Sequence, residues 1–200
     1  MSIKVLAICG SGRAGSKTRR ALEVAIQSAQ KAGAEVTTLD LGEFRLPLFD
    51  GRVNDPRKPE VDVDPQVAKF RAMAKEADAF LIASPVYHDS YSGVLKNAID
   101  FLYLELAEKV AGLIAVAGGR AGAGLALEHL RTVLRETQTW VVNRHVPIGN
   151  SDQSFDEAGG IKDPETVTRL SALGTELVLR TKLLRPRKAA PAAPPASAAS

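Results

Sequence analysis

With one cysteine, Cys9, in 200 residues, the chain can form no internal disulfide. No Cys/His cluster has the spacing of a zinc site, so no metal is expected. Long hydrophobic runs are missing as well. The longest apolar stretches, Ala79 to Ala83 and Leu113 to Ala117, fall far below the roughly 18 to 20 residues of a membrane-spanning helix. The opening Met-Ser-Ile-Lys-Val lacks the basic region, apolar core and cleavage site of a secretory signal. These absences read together as a cytoplasmic protein. Sixteen Gly and eleven Pro are too few for a fibrous or wholly disordered chain. What is present, 45% hydrophobic and 24% charged residues, suits one soluble domain with a substantial core.

The formal charge of +3 is unevenly placed. Arg180, Lys182, Arg185, Arg187 and Lys188 are followed and interleaved by no acidic residue, which leaves 21 basic against 23 acidic residues in positions 1–179. The basicity belongs to the tail. A nucleic-acid reader concentrates basic residues on a structured face beside aromatics. With aromatics at 5%, nucleic-acid binding is not expected here. Ala189 to Ser200 contains only Ala, Pro and Ser and has no apolar face to bury. Residues 185–200 are therefore expected to be a disordered tail after a single domain at 1–184.

Within the body, strand and helix signals alternate. Ile3–Cys9 is nearly continuous in apolar residues and ends at Gly10, the pattern of a strand buried on both faces. Between Ser16 and Lys31, Ala21, Leu22, Ala25, Ile26 and Ala29 recur at the spacing of one helical face, and Gly33 ends that helix. A second strand is predicted over Glu35–Leu41. A Pro- and charge-rich connection follows from Gly42 to Asp64. Asp64-Pro65 starts a helix to about Glu76, and Ala79–Ser84 is a third strand stopped by Pro85. Ser92 caps a helix through Leu102. Ala111–Ala117 and Trp140–Pro147 are further strands on either side of a helix over about Leu125–Glu136. Asp163-Pro164 opens a last helix ending near Leu184. Each parallel strand pair needs a crossover helix, so the order βαβαβαβαβα implies a parallel sheet with helices on both faces.

Ligands of such sheets bind beyond the carboxyl ends of the strands, where strand order reverses. The first loop there reads Gly10-Ser11-Gly12-Arg13-Ala14-Gly15-Ser16-Lys17-Thr18. Gly10, Gly12 and Gly15 form a G-x-G-x-x-G after a strand, with Asp40 as a possible ribose ligand of a dinucleotide. The loop is also one residue from a Walker A motif, but Ser16 separates Gly15 from Lys17 and turns the lysine by roughly 100°. The additional Ser11, Arg13, Ser16 and Thr18 suit a terminal phosphate monoester at a helix N-terminus. Ser16 can equally serve as a helix cap.

The loops after the third and fourth strands hold Ser84-Pro85-Val86-Tyr87-His88 and Gly118-Gly119-Arg120. Together with Gly-Ser-x-Arg-x-x-Ser, Leu46-Pro47-Leu48-Phe49-Asp50 and the long Ser92-Gly-Val-Leu-Lys-Asn-Ala-Ile-Asp100 segment, they occur in the order of a known family. Over roughly residues 3–180 the chain resembles the NAD(P)H-dependent FMN reductases. The resemblance implies a flavodoxin-like three-layer α/β sandwich with five parallel strands in the order 2-1-3-4-5. It implies that Ser11, Arg13, Ser16 and Thr18 hold the FMN phosphate. Pro85, Val86, Tyr87 and His88 would hold the isoalloxazine edge, and Gly118, Gly119 and Arg120 the pyrimidine end. NADPH or NADH would supply hydride, and free flavin, a quinone, an azo compound or a metal oxyanion would accept the electrons. His88 departs from the Asn or small polar residue common in the family.

No catalytic proton donor is expected, because hydride transfer to a flavin needs none from the protein. Cys9 reads as a buried small residue, and neither His129 nor His145 has a triad partner visible in the sequence. Tyr91, Leu95, Ile99, Leu102 and Leu106 form one stripe, read either as core or, by the resemblance, as part of a homodimer or homotetramer contact. A non-enzymatic electron carrier and a dinucleotide-binding domain are the alternative readings.

Overall fold

The computed structural model describes residues 2–51 and 64–184. Its elements run β1 Ile3–Cys9, α1 Lys17–Lys31, β2 Ala34–Asp40, α2 Pro65–Glu76, β3 Ala79–Tyr87, β4 Ser90–Tyr91, α3 Gly93–Asp100, β5 Val110–Val116, α4 Ala123–Glu136, β6 Trp140–Ile148, α5 Ser151–Ser154 and α6 Pro164–Leu184. The long strands are parallel in the order β2-β1-β3-β5-β6. Counted without the two-residue β4, this is the expected 2-1-3-4-5 arrangement of a flavodoxin-like sheet. The whole of the expected disordered tail, residues 185–200, and residues 52–63 of the long connection lie outside the described residues.

The central strands are apolar on both faces because helices cover both. Leu6, Ile8, Phe80, Ile82 and Leu113 pack with α2, α3 and α4. Val5, Ala7, Leu81, Ala83 and Ile114 point the other way, onto α1 and α6. The alternation is the two-residue period of a strand. The edge strands β2 and β6 bury only part of each face.

Helix starts follow the predicted chemistry. Ser16 accepts a hydrogen bond from the Arg19 amide, Asp64 from that of Gln66, and Ser92 from that of Leu95. Asp163 accepts from the amides of Glu165 and Thr166, which with the Thr166 hydroxyl holds its carboxyl below the usual carboxylate range.

Two boundaries differ from expectation. Pro85 does not stop β3, which continues to Tyr87. The Ala83 carbonyl accepts from Gly10, so the backbone of Ala83 faces β1 and, by alternation, so does that of Pro85. The last β1–β3 pair is Cys9 with Ala83, so proline's missing N–H falls where no ladder bond is required. Helix α3 ends at Asp100 and not at Leu102, because the Phe101 and Leu102 amides bond three residues back, to Ala98 and Ile99. Leu102 and Leu106 are therefore off the helix. Both are buried with Leu95 and Ile99, so those four residues are core and leave no apolar face for a partner.

Candidate cofactor site

The carboxyl ends of β1 and β3 diverge into α1 on one face of the sheet and α3 on the other. Between them, at the point where strand order reverses, lies a cleft of about 490 Å3. Its lining includes Ser11, Arg13, Ser16 and Thr18 from the first loop, Pro85, Val86 and Tyr87 from the end of β3, and Gly118 after β5. Eight of the eleven residues expected to hold the cofactor are thus brought to one cavity of ordinary ligand-site size. His88, Gly119 and Arg120 adjoin it along the chain but lie outside its lining.

Buried hydroxyls fix the relative position of these loops. Ser92, at the N-terminus of α3, donates to the Gly10 carbonyl at 2.6 Å, while its amide donates to Ser84 Oγ at 2.9 Å. Ser84 in turn donates to the Pro85 carbonyl at 2.8 Å. One chain of three bonds therefore ties the first loop, the end of β3 and α3 together. Gly10 itself sits where an added Cβ would lie 2.9 Å from both the Ala83 carbonyl oxygen and Leu95 Cβ, so only glycine fits. Asn97 of α3 pins the Leu46–Asp50 segment, accepting from the Phe49 amide and donating to the Pro47 carbonyl.

The first loop combines its donors with the amino end of α1. Ser11 Oγ accepts from the Arg13 amide at 3.2 Å, shaping the turn, and Ser16 is the helix cap. Arg13 has no carboxylate partner among the described residues. The opposite wall is less polar: Pro85 and Val86 are half-buried, and Tyr87 is exposed. Gly118 and Gly119 have no positive φ, and a Cβ at either would meet nothing within 4 Å. Neither backbone conformation nor packing requires glycine there. Both leave open space beside the cleft, as close approach of a flat ring to main-chain groups demands. The donor set and the shape together fit a phosphomonoester joined to a planar heterocycle.

Lys17, Val116, Ser151 and Asp152 also line the cleft and were not predicted. The last two come from α5, after the carboxyl end of β6. The same rule that located the other loops applies to this fourth strand end, but its sequence, Gly149-Asn-Ser-Asp152, carries no phosphate or flavin signature. Asn150 donates to the Gly119 carbonyl and Ser151 to that of Ala117, which joins the third and fourth loops.

Asp40 is not available as a ribose ligand. It is buried, pairs with Arg19 at 3.3 Å and accepts from the Gly42 amide at 2.9 Å. Cys9 is buried, and burial pushes its thiol pKa up, as expected of a packing residue. His129 meets Ser90 at 3.1 Å and His145 meets Arg131 at 2.8 Å, both outside the cleft. Burial and the neighbouring guanidinium lower the pKa of His145. Among the described residues no acidic, His or Cys cluster could hold a metal, and no helix is long and apolar enough to cross a membrane.

A sequence model for NADPH-dependent FMN reductases matches residues 3–153. The chain belongs to this family. Among its relatives, an NAD(P)H:quinone oxidoreductase of Solanum tuberosum is 35% identical over 179 residues, covering 86% of this chain and 89% of that one. An NAD(P)H-dependent FMN reductase of Pseudomonas aeruginosa is 34% identical over 166 residues, covering 80% and 85%. The fold also matches a solved flavoenzyme NAD(P)H:(acceptor) oxidoreductase from Paracoccus denitrificans, with a TM-score of 0.72 at 22% identity over 90% of this chain and 98% of that one. As a member of the FMN reductase family the chain is an oxidoreductase using FMN and NAD(P)H.

Proposed function

We propose that the chain binds FMN in the cleft at the β1–β3 switch point, takes hydride from NADPH or NADH, and delivers electrons to a second small molecule. Candidates for that acceptor are free flavin, a quinone, an azo compound or a metal oxyanion. The reading is carried by one juxtaposition: three hydroxyl residues and a guanidinium at the start of α1 face Pro85, Val86, Tyr87 and Gly118 across a single cavity. Ser11, Arg13, Ser16 and Thr18 would take the phosphate. Pro85 to His88 would flank the ring edge, and Gly118, Gly119 and Arg120 its pyrimidine end. When bound, FMN supplies the two-electron chemistry, while the protein contributes position and electrostatics. Arg120 adds positive charge beside the glycine loop, where it can offset negative charge arising on reduction.

The test is a visible spectrum of the protein after FMN addition and desalting, followed by anaerobic titration with NADPH and with NADH. A retained flavin spectrum that bleaches with nucleotide and returns on adding a quinone is the expected result. Flavin that stays oxidised with both nucleotides would mark an electron carrier, and a colourless protein that binds only the nucleotide would overturn the cleft assignment.

Assembly as a homodimer or homotetramer draws on apolar side chains beside this site. Leu48, 85% exposed, and Val94 line a neighbouring groove with Phe44 and Leu46, and Tyr103 and Leu104 are exposed just after α3. Sedimentation should give a multiple of 21.3 kDa that Leu48→Asp with Val94→Asp reduces to the monomer. A wild-type monomer at high micromolar concentration would reject the assembly.

A further inference from the structure

Lys17 Nζ and Asp152 Oδ1 lie 2.5 Å apart, and both residues line the cleft. Lys17 is the first residue of α1 and Asp152 the second of α5, so the pair joins the loop after β1 to the connection after β6. Asp152 is 91% exposed at its side chain and Lys17 37%. A pair this open to water adds little to the fold. Its position gives it another consequence. The lysine is the second cation of the cleft beside Arg13, and the carboxylate that holds it is the cleft's one acidic side chain among the described residues.

We propose that Lys17 is a phosphate-binding cation of this site which Asp152 restrains, so that the carboxylate sets how tightly, and how reversibly, the phosphate ester is held. The inference rests on the phosphate occupying the Ser11–Thr18 loop. Charge arithmetic gives its direction. A phosphomonoester carries about −1.5 to −2 at pH 7. Arg13, Lys17 and the amino end of α1, worth about half a positive charge, together offer about +2.5. Asp152 reduces this to about +1.5, close to or below what the ester requires. The ammonium already directs one of its three donors to Asp152 at 2.5 Å, which limits how far it can move toward a new anion. Asp152 is ionised at neutral pH, and the Lys17 hydrogen bond and charge hold its carboxyl below its usual range, so the pair extends into acid where a free carboxyl would protonate. The sequence explains why the lysine is free to do this. Ser16 between Gly15 and Lys17 sets the lysine one position later than in a Walker A loop, at the first residue of α1, where its side chain lines the cleft and meets Asp152 of α5.

Affinities for FMN and riboflavin, read from quenching of flavin fluorescence, test the inference in the full chain, Asp152→Asn, Lys17→Met and the double variant. Asp152→Asn should bind FMN about three- to tenfold more tightly and riboflavin unchanged. Lys17→Met should weaken FMN alone, and Asp152→Asn should gain less in that background than in the wild type. No change in FMN affinity for Asp152→Asn, equal tightening of riboflavin, or an undiminished gain without Lys17 would each overturn the role of the pair. Wild-type protein that holds FMN no better than riboflavin would instead remove the phosphate assignment beneath it, and the inference with it. Wild-type discrimination between the two flavins with an inert Asp152→Asn removes the inference alone.

Discussion

Gly174→Ala should destabilise the fold by about 2 kcal/mol, although alanine in an exposed helix interior would add about 1 kcal/mol. Gly174 lies midway along α6, where α6 crosses α1. A Cβ there would lie 2.2 Å from the Ala25 carbonyl oxygen, 3.0 Å from the Ala29 nitrogen and 3.1 Å from the Ala25 carbonyl carbon. All three are backbone atoms of α1, so no side-chain rotation relieves the contact, and the helices must separate. Overpacking of this kind costs about 1 to 3 kcal/mol, and a collision with backbone belongs at the upper end. The cost exceeds the propensity gain. The small residues Ala25 and Ala29 are buried on the facing side of α1, and Ser28 meets Thr175 at 3.1 Å beside the crossing. Denaturant titration of the variant should show a lower midpoint with an unchanged slope, and thermal unfolding a decrease of about 4 to 8 °C. A midpoint at or above wild type would mean that the helices cross less closely than described. The same crossing sets the direction of α1, whose other end presents Ser16, Lys17 and Thr18 to the cleft.

The parts of this architecture legible from sequence are those in which one physical cause dominates. Ile3–Cys9 and Ala111–Ala117, the latter found one residue earlier at Val110–Val116, read as strands because both faces are covered and the apolar run is nearly continuous. Helices α1, α2, α3 and α6 announce themselves through Ser16, Asp64, Ser92 and Asp163, whose side chains satisfy amides at the helix ends, with Pro65 and Pro164 as first helical residues. The losses are equally specific. The β3–β4 hairpin turns through His88 and Asp89, with φ of 49° and 58°. Such a two-residue turn is signalled by Asn-Gly or Asp-Gly, and His-Asp carries no such signal. Pro85 read as a stop because sequence does not show that β1 ends two residues earlier on that side. Asp152 was invisible for a similar reason. Its partner lies 135 residues away, and only the parallel order of β1, β3, β5 and β6 brings the two loops to the same rim. The Ser11–Thr18 and Pro85–Tyr87 segments, which meet at the cleft, were singled out by their residue types and the family resemblance. The ion pair from the start of α1 to α5 depends on topology.

Arg13→Ala should weaken FMN binding by about 10- to 150-fold and leave riboflavin binding nearly unchanged. A charge-assisted hydrogen bond contributes about 1.5 to 3 kcal/mol, and each 1.4 kcal/mol is about tenfold in affinity. Several features place Arg13 at the high end of the loop's donors. It lines the cleft, has no carboxylate to satisfy it among the described residues, and has its backbone fixed by Ser11 Oγ. Ser16 is already engaged as the cap of α1, accepting from the Arg19 amide, so its loss would disturb helix and ligand together. Arg13 is the cleaner substitution, because its side chain is exposed and makes no hydrogen bond or ion pair among the described residues. Unfolding midpoints should therefore match wild type while FMN affinity falls. Arg13→Lys should recover only part of the loss, since an ammonium cannot reproduce the bidentate guanidinium contact with phosphate oxygens. The riboflavin arm separates causes. Equal weakening of both flavins would point to a collapsed ring pocket, and undiminished FMN binding would move the phosphate out of the Ser11–Thr18 loop. Selective loss of the phosphorylated ligand is the result that the open guanidinium, the three hydroxyls and the amino end of α1 jointly require.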